Sequence, residues 1–381
     1  MIQNNLWFVD SGVDFFALVC YSLQNKLTFN EVIIVKYNKN ISLNLRKNVL
    51  SNIPNIKIID IIEDSSRSNK KFNFNQLIFF KSLIRRVSKN KRIFSRAGSN
   101  INKLIPPSKN SYTLIHGIND YLYCGDINSS CAKVFKTIFL KLIAHIQLKF
   151  YGYSNFCRNF GNKLAFNFPI KKNLRINDLK DNYFYLDSNN DEIRKHFEYY
   201  FRNLNNFVNS NYFSKANLAK VSYLPISLNS LNLQYDEALE KQFISFNKEI
   251  LLKFRNFIKE DLFIFINLHP IDLTNTNNLN FNFKYKLIKE LQENYFNVAL
   301  TSEYIDLNFL SEITYEITEL FLKPKYLISS YLSASLITSQ TKAENKFLVS
   351  IDNKDIIKKY IPDLKKSYNL QQSMDYLYNK I

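Results

Sequence analysis

The chain has 381 residues, 46% of them hydrophobic, more than one core usually holds, so a folded protein of two domains is expected and a disordered or fibrous chain is excluded. Its 51 Lys and Arg against 33 Asp and Glu leave a net charge of +18, which draws an anion: nucleotide, nucleic acid, acidic glycan or the inner membrane leaflet. The surplus of Asn, Lys, Ile, Phe and Tyr matches the codon usage of an AT-rich genome, a second source for the basic excess.

In chain order, short apolar runs alternate with helical patterns. Leu6 to Val9, Val32 to Val35, Ile56 to Ile59, Arg92 to Phe94 and Tyr112 to Ile115 read as strands, with helices after Gly12, over Leu43 to Leu50 and over Phe74 to Val87. That rhythm is βαβ, hence a parallel sheet with right-handed crossovers. A basic amphipathic segment runs from Ala132 to Phe150, and an Asn-rich helical stretch from Asp191 to Asn209 leads to a second alternation. There Val221 to Leu224, the Phe263 run, Asn297 to Leu300, the Tyr326 run and Phe347 to Ser350 read as strands. Helices are expected over Tyr235 to Phe257, Lys284 to Asn294 and Glu312 to Phe321. The expected fold is α/β with GT-B architecture, two Rossmann-like domains with a cleft between them. An acceptor-side domain would span 1–170, a helical linker 171–215 and a nucleotide-binding domain 216–381.

Cys20, Cys124, Cys131 and Cys157 have no metal-like spacing and read as reduced thiols of a cytoplasmic protein. The start of the chain lacks a charged n-region and a long apolar core, and no apolar run reaches about eighteen residues, so neither export nor membrane spanning is expected. The glycines are six, Gly12, Gly98, Gly117, Gly125, Gly152 and Gly161, with none thereafter. A Walker loop or a dinucleotide fingerprint needs clustered glycines and is excluded. Any phosphate in the C-terminal half must therefore be held by side chains and helix ends.

Two stretches fit that task. Phe263 to Leu268 reads as a buried strand that must end at His269-Pro270, because Pro270 has no N–H for a ladder. Tyr326 to Ser335 is an apolar run ending in serines, Ser329, Ser330 and Ser333, before a helix start. In an open α/β sheet both strand ends face the ligand crevice, so imidazole and hydroxyls together suit a phosphate. A strand-end histidine bonded to a neighbouring carbonyl is the plain alternative. His116, at the end of the Tyr112 strand and before Gly117, could present an imidazole with Asp120 at the top of the first sheet, or be a turn residue. His145 and His196 lie in helical, charged or apolar-basic surroundings and read as structural or solvated.

The ordered set of an N-terminal strand Asn5 to Ser11 running into a helix, a turn after a later strand, His269-Pro270 and the serine-rich strand end at 329–335 resembles the bacterial sialyltransferases, both the capsular polysialyltransferases and the lipooligosaccharide enzymes. The resemblance spans most of the chain, through motifs of two or three residues each. It implies inverting, metal-independent transfer from CMP-sialic acid to a capsule or lipooligosaccharide glycan, with no cofactor besides that donor. His269 would contact the donor phosphate, Pro270 would shape the turn, Ser329, Ser330 and Ser333 would bind the same phosphate, and Glu312 would hold the nucleoside. One departure matters: the family's base motif is two acidic residues followed by Gly, and here the turn reads Ile115-His116-Gly117. Either His116 takes over as base, Asp120 supplies the carboxylate, or the correspondence at this turn fails.

The His-Gly also resembles the CDP-glycerol-using teichoic acid polymerases, and the His-Pro the capsular Kdo transferases, so a CMP-Kdo or CDP-glycerol donor is an alternative. A non-enzymatic basic protein that binds polyanions is the rival class. Lys133, Lys136, Lys141 and Lys149 would support peripheral contact of a cytoplasmic enzyme with the anionic inner membrane, while no nucleic-acid module is legible.

Overall fold

The computed structural model describes residues 4–36, 41–63, 92–96, 110–114, 162–166, 183–186, 191–203, 220–225, 237–260, 262–268, 283–304, 315–330, 335–336, 339, 341–349 and 378–381. The chain separates into two compact units, Met1–Ile193 and Arg194–Ile381. Among the described residues no helix is long and apolar enough to cross a membrane.

The first unit carries a parallel sheet of strands β1 (Asn4–Val9), β2 (Phe29–Lys36), β3 (Ile56–Glu63), β4 (Arg92–Arg96), β5 (Ser111–Leu114), β6 (Asn162–Phe166) and β7 (Tyr183–Leu186), in the order β3-β2-β1-β4-β5-β6-β7. Helix α1 (Gly12–Gln24) follows β1 and α2 (Ile41–Ser51) follows β2. The strands are apolar on both faces, as a sheet covered twice requires: Leu6, Trp7, Phe8 and Val9 are all buried, as are Val32 to Val35. Trp7 stacks on Phe94 at 4.2 Å and Phe94 on Tyr112 at 4.7 Å, one aromatic from each of β1, β4 and β5, in register. That ladder joins the strands across the point where the chain reverses its direction of travel through the sheet. At the far edge β3 carries a bulge: Val32 pairs with Ile58 and Ile33 with Asp60, so Ile59 is skipped and turns outward.

Helix α3 (Asp191–Asn203) crosses the division between the units. The second unit holds β8 (Val221–Leu224), β9 (Ile264–Ile266), β10 (Val298–Leu300), β11 (Tyr326–Ser329), β12 (Lys346–Leu348) and β13 (Asn379–Lys380), ordered β10-β9-β8-β11-β12-β13 and parallel throughout. Helices α4 (Glu237–Ile258), α5 (Phe283–Glu293) and α6 (Tyr315–Leu322) connect them. The apolar stripe of α4, Phe243, Phe246, Ile250, Leu251 and Phe254, packs with Leu287 and Leu291 of α5 onto Tyr223, Ile266 and Ile328.

Both sheets thus run outward from a central first strand in two directions, the order of a doubly wound nucleotide fold. The α/β class and the two Rossmann-like sheets of the GT-B expectation are present. Residues 183–186, placed by sequence within a helical linker, form a strand of the first sheet, and 162–166 form another that the sequence pattern did not reveal. The expected helix over Phe74 to Val87 and the segment Ala132 to Phe150 lie outside the described residues.

With no glycine available, three helices end on residues that keep a Cβ in left-handed backbone: Lys259 (φ 57°) after α4, Tyr295 (φ 61°) after α5 and Lys323 (φ 38°) after α6. At α5 the Tyr295 N–H donates to Gln292 O and the Phe296 N–H to Leu291 O, both at 3.0 Å, a Schellman closure with Phe296 buried over Leu291.

Candidate functional site

In a doubly wound sheet the ligand crevice opens where the strand order reverses, beyond the carboxyl ends of the two central strands. In the second unit those strands are β8 and β11, ending at Leu224 and Ser329. Ser329 and Ser330 are both buried there. The Ser329 hydroxyl donates to Leu224 O at 3.3 Å, the Ser330 N–H reaches the same carbonyl at 3.4 Å, and Ser329 O accepts from the Val349 N–H at 3.0 Å. The two serines predicted from sequence therefore cap the strand at the switch point, with Ser329 tied to the neighbouring strand.

Beside them, Asn267 controls how β9 leaves the sheet. Its N–H donates to Tyr223 O at 2.9 Å, and its side-chain amide donates to the buried Ser222 hydroxyl at 2.8 Å and to Phe265 O at 3.1 Å. Its Oδ1 accepts from the Thr301 hydroxyl at 2.7 Å, so one side chain ties the ends of β8, β9 and β10 together. His269 follows two positions later in the sequence. His269, Pro270, Glu312 and Ser333 lie outside the described residues, as do His116 and Asp120, which follow the end of β5 in the first unit.

The first unit has its own switch point, between β1 and β4, and there the structure assembles a cluster whose full extent the sequence did not disclose. Asp10 leaves the end of β1, and Ser11 caps α1, its hydroxyl accepting from the Asp14 N–H at 3.4 Å. Asp14 sits in the first turn, 1% exposed, with its Oδ2 accepting from the Asp10 N–H at 3.0 Å. Arg96, the last residue of β4, forks onto Asp10 at 2.8 and 3.3 Å, and its Nε lies 3.7 Å from Asp14 Oδ1. Burial pushes the Asp14 carboxyl well above the usual carboxylate range; the charge and side-chain contact of Asp10 add to it, and Arg96 opposes it. The Ser-x-x-Asp spacing after a strand was a visible cap signal, but Arg96 stands 86 positions from Asp10 and no local pattern points to it.

At the opposite end of the second sheet, where β12 begins, Lys346 is buried and donates to Ser339 O at 2.6 Å. Burial lowers its ammonium to about 8, against the pull of Glu319. Glu319 itself accepts from the Ser339 hydroxyl and from the Thr341 N–H and hydroxyl, at 3.1 and 3.0 Å for the latter two. This group ties α6 to the start of β12, at the end of the sheet away from the crevice. Among the described residues no three His, Cys, Asp or Glu side chains group so as to hold a metal. Cys20, buried in α1, is a reduced cysteine.

No family model matches the chain, and no curated protein matches it. Among solved structures it is similar to a provisionally assigned UDP-N-acetylglucosamine 2-epimerase from Listeria monocytogenes, at 10% identity over 99% of this chain and 90% of that one, with a TM-score of 0.45. A second UDP-N-acetylglucosamine 2-epimerase is similar at 9% identity over the same shares, with a TM-score of 0.34.

Proposed function

We propose that the chain is an inverting glycosyltransferase that moves sialic acid from CMP-sialic acid to a capsule or lipooligosaccharide glycan. The observation that carries this reading is the placement of Ser329 and Ser330 at the switch point of the second sheet, beside the Asn267 anchor that leads to His269-Pro270. Hydroxyls and backbone N–H groups at such a strand end are the kind of donors that suit a single phosphate. In the proposal His269, Ser330 and Ser333 receive the charge that gathers on CMP as the glycosidic bond breaks, with Pro270 shaping the turn. The Ser329 hydroxyl, spent on Leu224 O, orients the strand end from behind.

Glu312 is assigned to the nucleoside, and His116 or Asp120 to the acceptor hydroxyl. With imidazole and hydroxyls on the phosphate, transfer proceeds without a divalent ion, so EDTA leaves it intact. The +18 charge supports peripheral contact with an anionic membrane surface.

The test is thermal stabilisation by CMP, CDP, UDP and ADP. CMP at a hundred times its dissociation constant adds about 2.7 kcal/mol to stability, and His269→Ala removes most of that effect. Stabilisation by CDP above CMP moves the donor to the CDP-linked class. Preference for UDP or ADP, or no stabilisation by any of the four, overturns the reading.

A further inference from the structure

The crevice of the second unit lies at the carboxyl edge of its sheet; the amino edge, at the other end of the same strands, carries a surface of a different kind. Three contacts hold that edge together. Arg255 Nη1 donates to Asn294 O at 3.4 Å, which draws the ends of α4 and α5 side by side. Lys325 Nζ lies 3.3 Å from Glu260, so the start of β11 meets the chain leaving α4. The Tyr326 N–H donates to Lys220 O at 3.0 Å and sets the residue before β8 beside them. Phe257, Lys259, Tyr295, Lys220, Lys323 and Lys325 thereby share one edge, and all six are exposed, Tyr295 at 87% and Phe257 at 55%. Glu260 answers Lys325, and Glu293 answers Lys289 at 3.8 Å, so among the described residues Lys220, Lys259 and Lys323 have no carboxylate partner. A lysine after a helix also meets the negative end of the helix dipole, which accounts for charge at 259 and 323 but not for Lys220 or for two exposed rings.

Cations set among exposed aromatic rings fit the boundary layer of an anionic membrane, where ammonium groups meet lipid phosphates and the rings settle at headgroup depth. Phe257 has no polar atom, and a soluble polyanion offers its ring no hydrocarbon to enter. We propose that the amino edge of the second unit docks on an anionic lipid surface, with Lys220, Lys259 and Lys323 on the phosphates and Tyr295 and Phe257 in the headgroup layer. The inference rests on the peripheral membrane contact proposed above and gives that contact a face, distinct from the lysines at 133–149. Docked in this way, the second sheet turns its carboxyl edge, with Ser329 and Ser330, away from the bilayer and toward the solution in which a nucleotide donor is dissolved.

The backbone supplies a control. Lys259, Tyr295 and Lys323 have positive φ, so a glycine at each removes the side chain and relieves the backbone together. The experiment is co-sedimentation of the full chain with vesicles of phosphatidylcholine, and with vesicles of phosphatidylcholine and phosphatidylglycerol in equal parts, comparing the wild type with a variant carrying Lys259→Gly, Tyr295→Gly and Lys323→Gly. The wild type should sediment with the anionic vesicles only. The variant, with a urea midpoint no lower than that of the wild type, should partition at least about thirtyfold less, from about fivefold for each lysine near an anionic surface. If both proteins bind anionic vesicles alike, the membrane contact stands and this face is wrong. If the wild type binds neither vesicle, the contact and the face fail together. Equal vesicle binding with weaker retention of the variant on immobilised heparin assigns the face to a soluble polyanion and overturns the lipid reading. Should the glycine variant fail to fold, Lys220→Gln combined with Phe257→Gln takes its place, and an unchanged partition overturns the inference.

Discussion

Replacing Lys346 by Met tests the electrostatics of the second unit in isolation from any substrate. The ammonium lies at the start of β12, buried, with Ser339 O as an acceptor at 2.6 Å and Glu319 as the opposing charge. Burial lowers it from the ordinary lysine value of 10.5 to about 8. Between those two values the unfolded chain binds a proton that the folded chain does not, so stability rises with pH across the window and is flat below it. At 1.36 kcal/mol per pH unit the full rise is about 3 kcal/mol, most of it complete by pH ~10. Lys346→Met loses the bond to Ser339 O at every pH but has nothing to titrate. The assay is urea denaturation followed by far-UV circular dichroism from pH 7 to 10 on both proteins, in which other titrations cancel in the difference. The wild type should gain about 2–3 kcal/mol on the variant across that range. A difference that stays constant, or that shrinks as pH rises, refutes the reasoning.

Asp14 should show the opposite dependence. Its folded carboxyl is raised above the unfolded one, so its contribution to stability is present at low pH and is lost as pH rises through the raised value. Asp14→Asn should abolish that decline in denaturation midpoints between pH 4 and 8. Asn267→Ala strips partners from Ser222 and Thr301 at once and should lower stability by about 1–3 kcal/mol in urea denaturation, with an unchanged midpoint counting against the anchor.

Much of the sheet core was legible because parallel strands covered on both faces must be apolar without alternation: Leu6 to Val9, Val32 to Val35, Val221 to Leu224 and Tyr326 to Ile328 all announce themselves this way. Helix α1 was legible from Gly12 onward, and Ser11 fixes its start. Strands 162–166 and 183–186 were not legible, being short and set among Asn, Lys and Asp, and it is pairing with β5 and with each other that makes them strands. The serines at 329–330 could be placed at a strand end from sequence. That this end borders β8, and so the crevice, follows only from the strand order. The Asp10–Asp14–Arg96 cluster is half local and half tertiary: the Ser11 cap sets Asp14 over Asp10, but Arg96 arrives on a strand 86 positions away.

The left-handed helix ends at Lys259, Tyr295 and Lys323 bear on how this protein can evolve. Each sets a Cβ against the following carbonyl at a cost of about 1 kcal/mol, which a glycine would not incur. The second unit is therefore folded below the stability its own backbone permits, by about 3 kcal/mol over the three sites. Glycines gained there would raise its tolerance to mutation, leaving the crevice residues freer to change before the fold is lost.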